Sequence, residues 1–198
     1  MPDRLPPDTL IVQAETRTAL VIGNGNYKRS SLKNPPNDAR DVSKKLNNLG
    51  FNVITLINAT QQEMDDTIYR FGTKLREGKV GLFYYSGHGA QFQGENYLIP
   101  VDTNIRSAGE LRYKAIPVGI VLEYMREANN ALNMVVLDAC RDNPFLGARS
   151  TTRGLAPIQN RPQGSIIVYA TAPGKTAADG TEGNSPFTEA FIKYIDSP

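Results

Sequence analysis

Apolar residues along this chain fall into two alternating rhythms. Nearly continuous apolar runs of four to six residues, at 18–22, 52–57, 80–85, 134–137 and 166–170, read as strands. Because these runs do not alternate with polar residues, both faces of each strand are expected to be covered, as in a parallel sheet. Between the first two, Ala39, Val42, Leu46 and Leu49 recur at helical spacing, with Asn34 and Pro35 as cap and first-turn residues and Gly50 at the end. Between the second and third, Met64, Ile68, Phe71 and Leu75 form one stripe. Thr60 and Glu63 open it as a capping box, and Gly78 closes it.

Further helices are predicted at 117–128 and 185–195, and a short strand or hairpin at 95–101. Residues 141–164 have no period and carry Arg141, Arg149, Arg153 and Arg161, which reads as a long loop of functional interest. Strands alternating with helices predict an α/β domain over residues 17–198, with a mostly parallel sheet of about six strands flanked by helices. Residues 1–16 form a Pro-rich leader. The last apolar helical position, Ile195, lies three residues from the end, so further domains of a longer chain are among the expected neighbours.

Composition narrows the function. A chain of 198 residues, 40% of them hydrophobic, suffices for one domain that buries roughly 70–75% of its unfolded surface. Lys and Arg number 22 against 20 Asp and Glu, interspersed in sign, so no long-range field points to nucleic acid. No apolar run reaches the length of a membrane span, and the N-terminus lacks the basic start and apolar core of a secretory signal. A cytoplasmic location is expected, with no membrane partner. One cysteine and one histidine exclude an intrachain disulfide and the usual structural zinc sites.

Those two single residues stand in equivalent places. His88 follows the run ending at Tyr85, and Cys140 follows the run ending at Leu137. In open parallel sheets the carboxyl ends of neighbouring strands, about 4.8 Å apart, form the crevice where ligands bind. There an imidazole can take the proton of a thiol, which is otherwise mostly protonated at neutral pH, and later deliver it to a leaving amine. Gly87 and Gly89 flank His88, either as turn formers or as places where a carbonyl can approach the backbone. Gly23-Asn24-Gly25 begins like a dinucleotide loop, but Lys28 stands where its third glycine belongs, and no G-x-S-x-G elbow occurs.

The segments Tyr84-Tyr85-Ser86-Gly87-His88-Gly89 and Leu137-Asp138-Ala139-Cys140-Arg141 resemble the His and Cys motifs of the caspase-like cysteine peptidases (peptidase C14), nearest to the bacterial metacaspase-like, or orthocaspase, branch. Ala19-Leu20-Val21-Ile22-Gly23-Asn24 and Asn34-Pro35-Pro36-Asn37-Asp38-Ala39 are similar to the first strand and following helix of that fold, and the likeness runs from about Arg17 to Ile195. The resemblance implies a caspase-hemoglobinase fold, a Cys140 nucleophile, a His88 general acid and base, and an oxyanion hole from the Gly89 and Cys140 amides. It also implies cleavage of protein substrates after Arg or Lys, with Asp38 and Asp138 lining the pocket for that residue, and self-cleavage after Arg149, Arg153 or Arg161. No cofactor is expected. Calcium activation is not favoured, because only Asp142 follows Cys140 closely and no D-x-D-x-D-G run is present. The alternative is a non-catalytic caspase-like module that binds a peptide or partner protein.

Overall fold

A computed structural model describes residues 16–140, 155–170 and 183–197. Five strands run parallel in the order β2 (Phe51–Ile57), β1 (Arg17–Gly23), β3 (Val80–Phe92), β6 (Leu132–Cys140), β7 (Ser165–Tyr169). The other two continue the sheet in antiparallel fashion, β4 (Glu95–Leu98) on β3 and β5 (Ile116–Pro117) on β4. Among the described residues the sheet therefore has seven strands, against the six expected. The extra one is β5, two residues long and too short to leave a pattern in sequence.

Helices cover both faces. On one lie α1 (Pro35–Asn48) and α5 (Pro186–Tyr194), whose Ala39, Val42, Leu46, Phe187 and Phe191 pack on Ala19, Val21, Leu82, Tyr84 and Val136. On the other lie α2 (Gln61–Leu75) and α4 (Val118–Ala128), whose Met64, Ile68, Phe71, Val121 and Met125 cover Leu20, Ile22, Phe83, Tyr85 and Val135. Alternate residues of β1 and β3 thus enter opposite cores, which is why their sequences are apolar without a break. A 3-10 turn (Ala108–Glu110) and the four-residue α3 (Leu111–Lys114) were not foreseen. Leu111 of α3 packs with Tyr97, Ile99 and Ile105 in a third, smaller cluster beside β4.

The capping box of α2 forms as expected: the Thr60 side chain accepts from Glu63 N, and the Glu63 carboxylate accepts from Thr60 N at 2.8 Å. The cap expected of Asn34 takes another form. Its backbone is already helical, and its carbonyl, not its side chain, accepts from the first-turn amides of Asn37 and Asp38. Among the described residues no helix is long and apolar enough to cross a membrane.

Candidate active site at the carboxyl ends of β3 and β6

Chain order reverses between β1 and β3, since β1 leads to β2 on one side and β3 to β6 on the other. Such a switch point opens a crevice at the carboxyl ends of the strands. Glycine brings α1 close to it. A Cβ on Gly23 would lie 2.1 Å from the Pro35 carbonyl oxygen and 2.6 Å from Ala39 Cβ, so any larger residue would push the start of α1 away. This near contact, and not a phosphate cradle, accounts for Gly23 of the Gly-Asn-Gly sequence. It delivers Asp38, in the first turn of α1, beside the end of β3.

There Asp38 is 1% exposed, accepting from Ser86 Oγ and from Ser185 N, each at 2.9 Å. Ser86 is opposite Asp138 in the β3–β6 register. The Asp138 carboxylate, 5% exposed, accepts from Ser185 Oγ and, at 3.0 Å, from Thr188 Oγ1. Ser185 is also the N-cap of α5, accepting from Thr188 N at 3.0 Å. One serine therefore joins both acids and ties them to the start of α5. Tyr84 donates or accepts at Thr188 Oγ1, and burial, followed by the charges of Asp138 and Asp38, holds its phenol well above the usual tyrosine range.

Two residues further along both strands, His88 is opposite Cys140 in the same register. The expectation that His88 follows its strand needs correction, because β3 continues through it to Phe92. Neither Gly87 nor Gly89 lies in a turn. Gly87 has φ 153°, and a Cβ there would come within 2.7 Å of Tyr85 Oη, 2.8 Å of Tyr27 Oη and 2.9 Å of the Asn24 carbonyl oxygen. Its missing side chain is space for two tyrosine hydroxyls. Gly89 marks the point where β3 ends its pairing with β6 and takes up β4, opposite Leu98.

The imidazole is held by the loop after β1. Tyr27, 4% exposed, lies with its ring centroid 4.4 Å from that of His88, and its hydroxyl accepts from His88 N at 3.0 Å while donating to Ile99 O at 3.1 Å. Tyr85 Oη donates to the His88 carbonyl at 2.7 Å. His88 Nε2 is 2.6 Å from the carbonyl of Ser30, a residue with φ 56°. A carbonyl can only accept, so Nε2 carries the hydrogen, and in the neutral ring Nδ1 is the basic nitrogen. Asn58 steadies the same loop, its Oδ1 accepting from Gly25 N and Asn26 N at 2.9 Å each.

The structure thus brings together Asp38, Asp138, His88, Gly89 and the backbone of Cys140. Of the residues expected for self-cleavage, Arg161 is exposed, while Arg149 and Arg153 lie outside the described residues, as do Arg141 and Asp142. Sequence reasoning missed Tyr27, Ser30, Ser86, Ser185 and Thr188. Tyr27 left one trace, a single aromatic in the otherwise polar stretch 24–31.

A mostly parallel α/β sheet that sets a His opposite a Cys on neighbouring strands has the make-up of a caspase-like domain. The chain belongs to the caspase domain family, peptidase C14, whose family model matches residues 16–198. It is 31% identical to the human mucosa-associated lymphoid tissue lymphoma translocation protein 1 over 98% of this chain and 23% of that protein. It is 28% identical to a probable protease of a Desulfuromonadales bacterium over 88% of this chain and 25% of that one. The chain spans about a quarter of the length of these relatives. A crystal structure of a Geobacter sulfurreducens protein shares the fold at 15% identity and a TM-score of 0.66, covering 90% of this chain and 81% of that one.

Proposed function

We propose that this caspase-family domain is a cysteine endopeptidase of the bacterial metacaspase-like kind, cutting protein substrates after Arg and less readily after Lys. In the proposed reaction the Cys140 thiolate attacks the scissile carbonyl, and His88 holds the thiol proton at Nδ1 before passing it to the leaving amine. Water then hydrolyses the thioester with His88 as base. The Gly89 and Cys140 amides would stabilise the oxyanion of both steps.

The observation that carries this reading is the pairing of two levels in one register: Ser86 opposite Asp138, with Asp38 joined through Ser86 and Ser185, and two residues on, His88 opposite Cys140. Two carboxylates beside a nucleophile favour a substrate cation, and a guanidinium can bind them in a bidentate manner where an ammonium cannot. An acidic side chain in the same place would be repelled. Self-cleavage belongs to this proposal, and Arg149 and Arg153, followed in sequence by Ser150 and Gly154, suit it better than Arg161. The bond after Arg161 leads into buried Pro162, which has no N–H to offer.

A positional-scanning fluorogenic peptide library, run with the wild type and Cys140→Ala, with and without calcium, tests the reading. Cleavage after Arg that disappears in Cys140→Ala is the expected result. A wild-type chain that neither reacts with a peptidyl electrophile at Cys140 nor turns over any peptide would leave the peptide-binding module as the function.

A further inference from the structure

Asn96 is 2% exposed, on β4, and its carboxamide engages both backbone groups of one residue in the later part of the long loop. Its Nδ2 donates to Ala156 O at 2.8 Å, and its Oδ1 accepts from Ala156 N at 2.6 Å. A single side chain thereby does what a neighbouring strand would do. Tyr169 of β7 supplements it, its hydroxyl accepting from Ile158 N at 3.1 Å and donating to Ala156 O at 3.2 Å. Residues 155–158 belong to no helix or strand, so their course depends on such bonds.

What this fixes is Leu155. It is 4% exposed and joins the core beside Tyr85, Leu98 and Ala139. A Cβ on Gly89 would meet Leu155 Cδ2 at 3.2 Å and Ala139 Cβ at 3.0 Å, so Leu155 lies against the backbone that follows His88. Apolar burial alone would tolerate a slip of this segment by a residue. The paired bonds from Asn96 do not, because they specify one residue's N–H and C=O together. They decide that Leu155, and not a neighbour, meets Gly89.

We propose that Asn96 is a positioning residue for the oxyanion end of the site: by pinning Ala156 it seats Leu155 behind Gly89 and holds the Gly89 amide where charge develops in the reaction. This rests on the peptidase reading above. The prediction concerns transition-state stabilisation, while substrate affinity and the reactivity of Cys140 belong to other residues.

The test uses the full chain with Asn96→Asp, Asn96→Ala and Leu155→Ala. Kinetics on an Arg peptide are compared with the affinities of a peptidyl-argininal and of the matching peptidyl alcohol. The aldehyde is captured by a bond from Cys140 Sγ to its carbon, while the carbonyl π pair moves to oxygen and the thiol proton ends there, so nothing else is consumed. The alcohol binds without that step. Each variant should lose on the order of tenfold in kcat, less than the loss on deleting an oxyanion donor outright, and a similar factor in aldehyde affinity. KM, alcohol affinity and the rate of Cys140 alkylation by iodoacetamide should stay within about twofold by the same reasoning.

Equal losses for aldehyde and alcohol, or no loss in a folded Asn96→Asp, would overturn the inference. If both Asn96 variants fail to fold, Leu155→Val trims one methylene behind Gly89 and is read by the same aldehyde-to-alcohol ratio, whose constancy would equally overturn it. A wild type that neither turns over the peptide nor captures the aldehyde overturns the peptidase reading and this inference together. A wild type that does both, with variants that match it, overturns this inference alone.

Discussion

The two levels of the crevice, two residues apart along β3, are built from opposite materials. At Ser86 and Asp138 the fixed groups are two carboxylates, and hydroxyls and an amide point at them. At His88 the fixed group is an imidazole, against which lie a carbonyl and a tyrosine ring, while two phenolic hydroxyls hold the backbone N–H and C=O of the same residue. The first arrangement keeps negative charge in a buried place. The second holds the ring in one orientation, with its hydrogen on Nε2. On the proposed reading a single strand supplies recognition and proton transfer separately, and perturbing one level should leave the other working.

The largest expected effect comes from the imidazole level. Cys140→Ala and His88→Ala should each lower kcat/KM by at least about a thousandfold, because members of such a pair act as one unit in the transition state. Circular dichroism and thermal unfolding should show both variants folded. Iodoacetamide should label a single site, more slowly in His88→Ala. Turnover surviving in Cys140→Ala would place the chemistry elsewhere.

Next comes the carboxylate level. Asp138→Asn and Asp38→Asn should each lower kcat/KM for Arg peptides by about 2–4 kcal/mol, since the substrate cation loses a charged partner while the amide oxygen still accepts from the hydroxyls around it. Alkylation of Cys140 should proceed at close to the wild-type rate. Undiminished turnover of Arg peptides in Asp138→Asn, or efficient cleavage after Asp, would show that recognition is housed somewhere else.

The two levels were legible in different ways. Asp38 and Asp138 were named through the resemblance to the caspase-like peptidases, since an acid in the first turn of a helix or at the end of an apolar strand also has a purely structural reading. His88 and Cys140 follow from the strand-end rule. The shell around His88 rests instead on the backbone carbonyl of Ser30 and on Tyr27, both in a loop without period, and no residue-type signal encodes a carbonyl. The tail of β3 was hidden too. Its Ser-Gly-His-Gly-Ala-Gln sequence lacks β-branched residues, and it is extended because β6 and then β4 pair with it. Ser185 was visible only as a helix start, and its second task of joining the two acids appears only when α5 is folded back against α1.

Removing one hydroxyl at each level sharpens the comparison. Tyr27→Phe leaves His88 N and Ile99 O without that partner, and Ser185→Ala leaves Asp138 without one of its donors and α5 without its cap. Each should cost about 1–3 kcal/mol, or roughly 5- to 150-fold, in the quantity its level governs. For Tyr27→Phe that quantity is kcat, for whatever basic residue precedes the cut. For Ser185→Ala it is the preference for Arg over a neutral residue. If both variants change kcat and preference alike, the two levels are one coupled unit.

The smallest effect belongs to a place that touches neither level. Thr60→Ala removes the side-chain half of the α2 capping box and should lower stability by about 1 kcal/mol with kcat and KM unchanged. The box also gives a pH signature through Glu63, whose carboxyl is held below its ordinary value of 4.5 by the hydrogen bond from the Thr60 backbone and then by that from its side chain. A carboxyl that is more acidic folded than unfolded stabilises the fold above its unfolded value, and that contribution fades as pH falls through its folded value. The gap in melting temperature between wild type and Glu63→Gln should therefore be full at pH 7 and shrink below about pH 4.5. A gap that is constant down to pH 3 would mean that the charge of Glu63 contributes nothing to the cap, and a change in kcat would mean that α2 is coupled to the crevice after all.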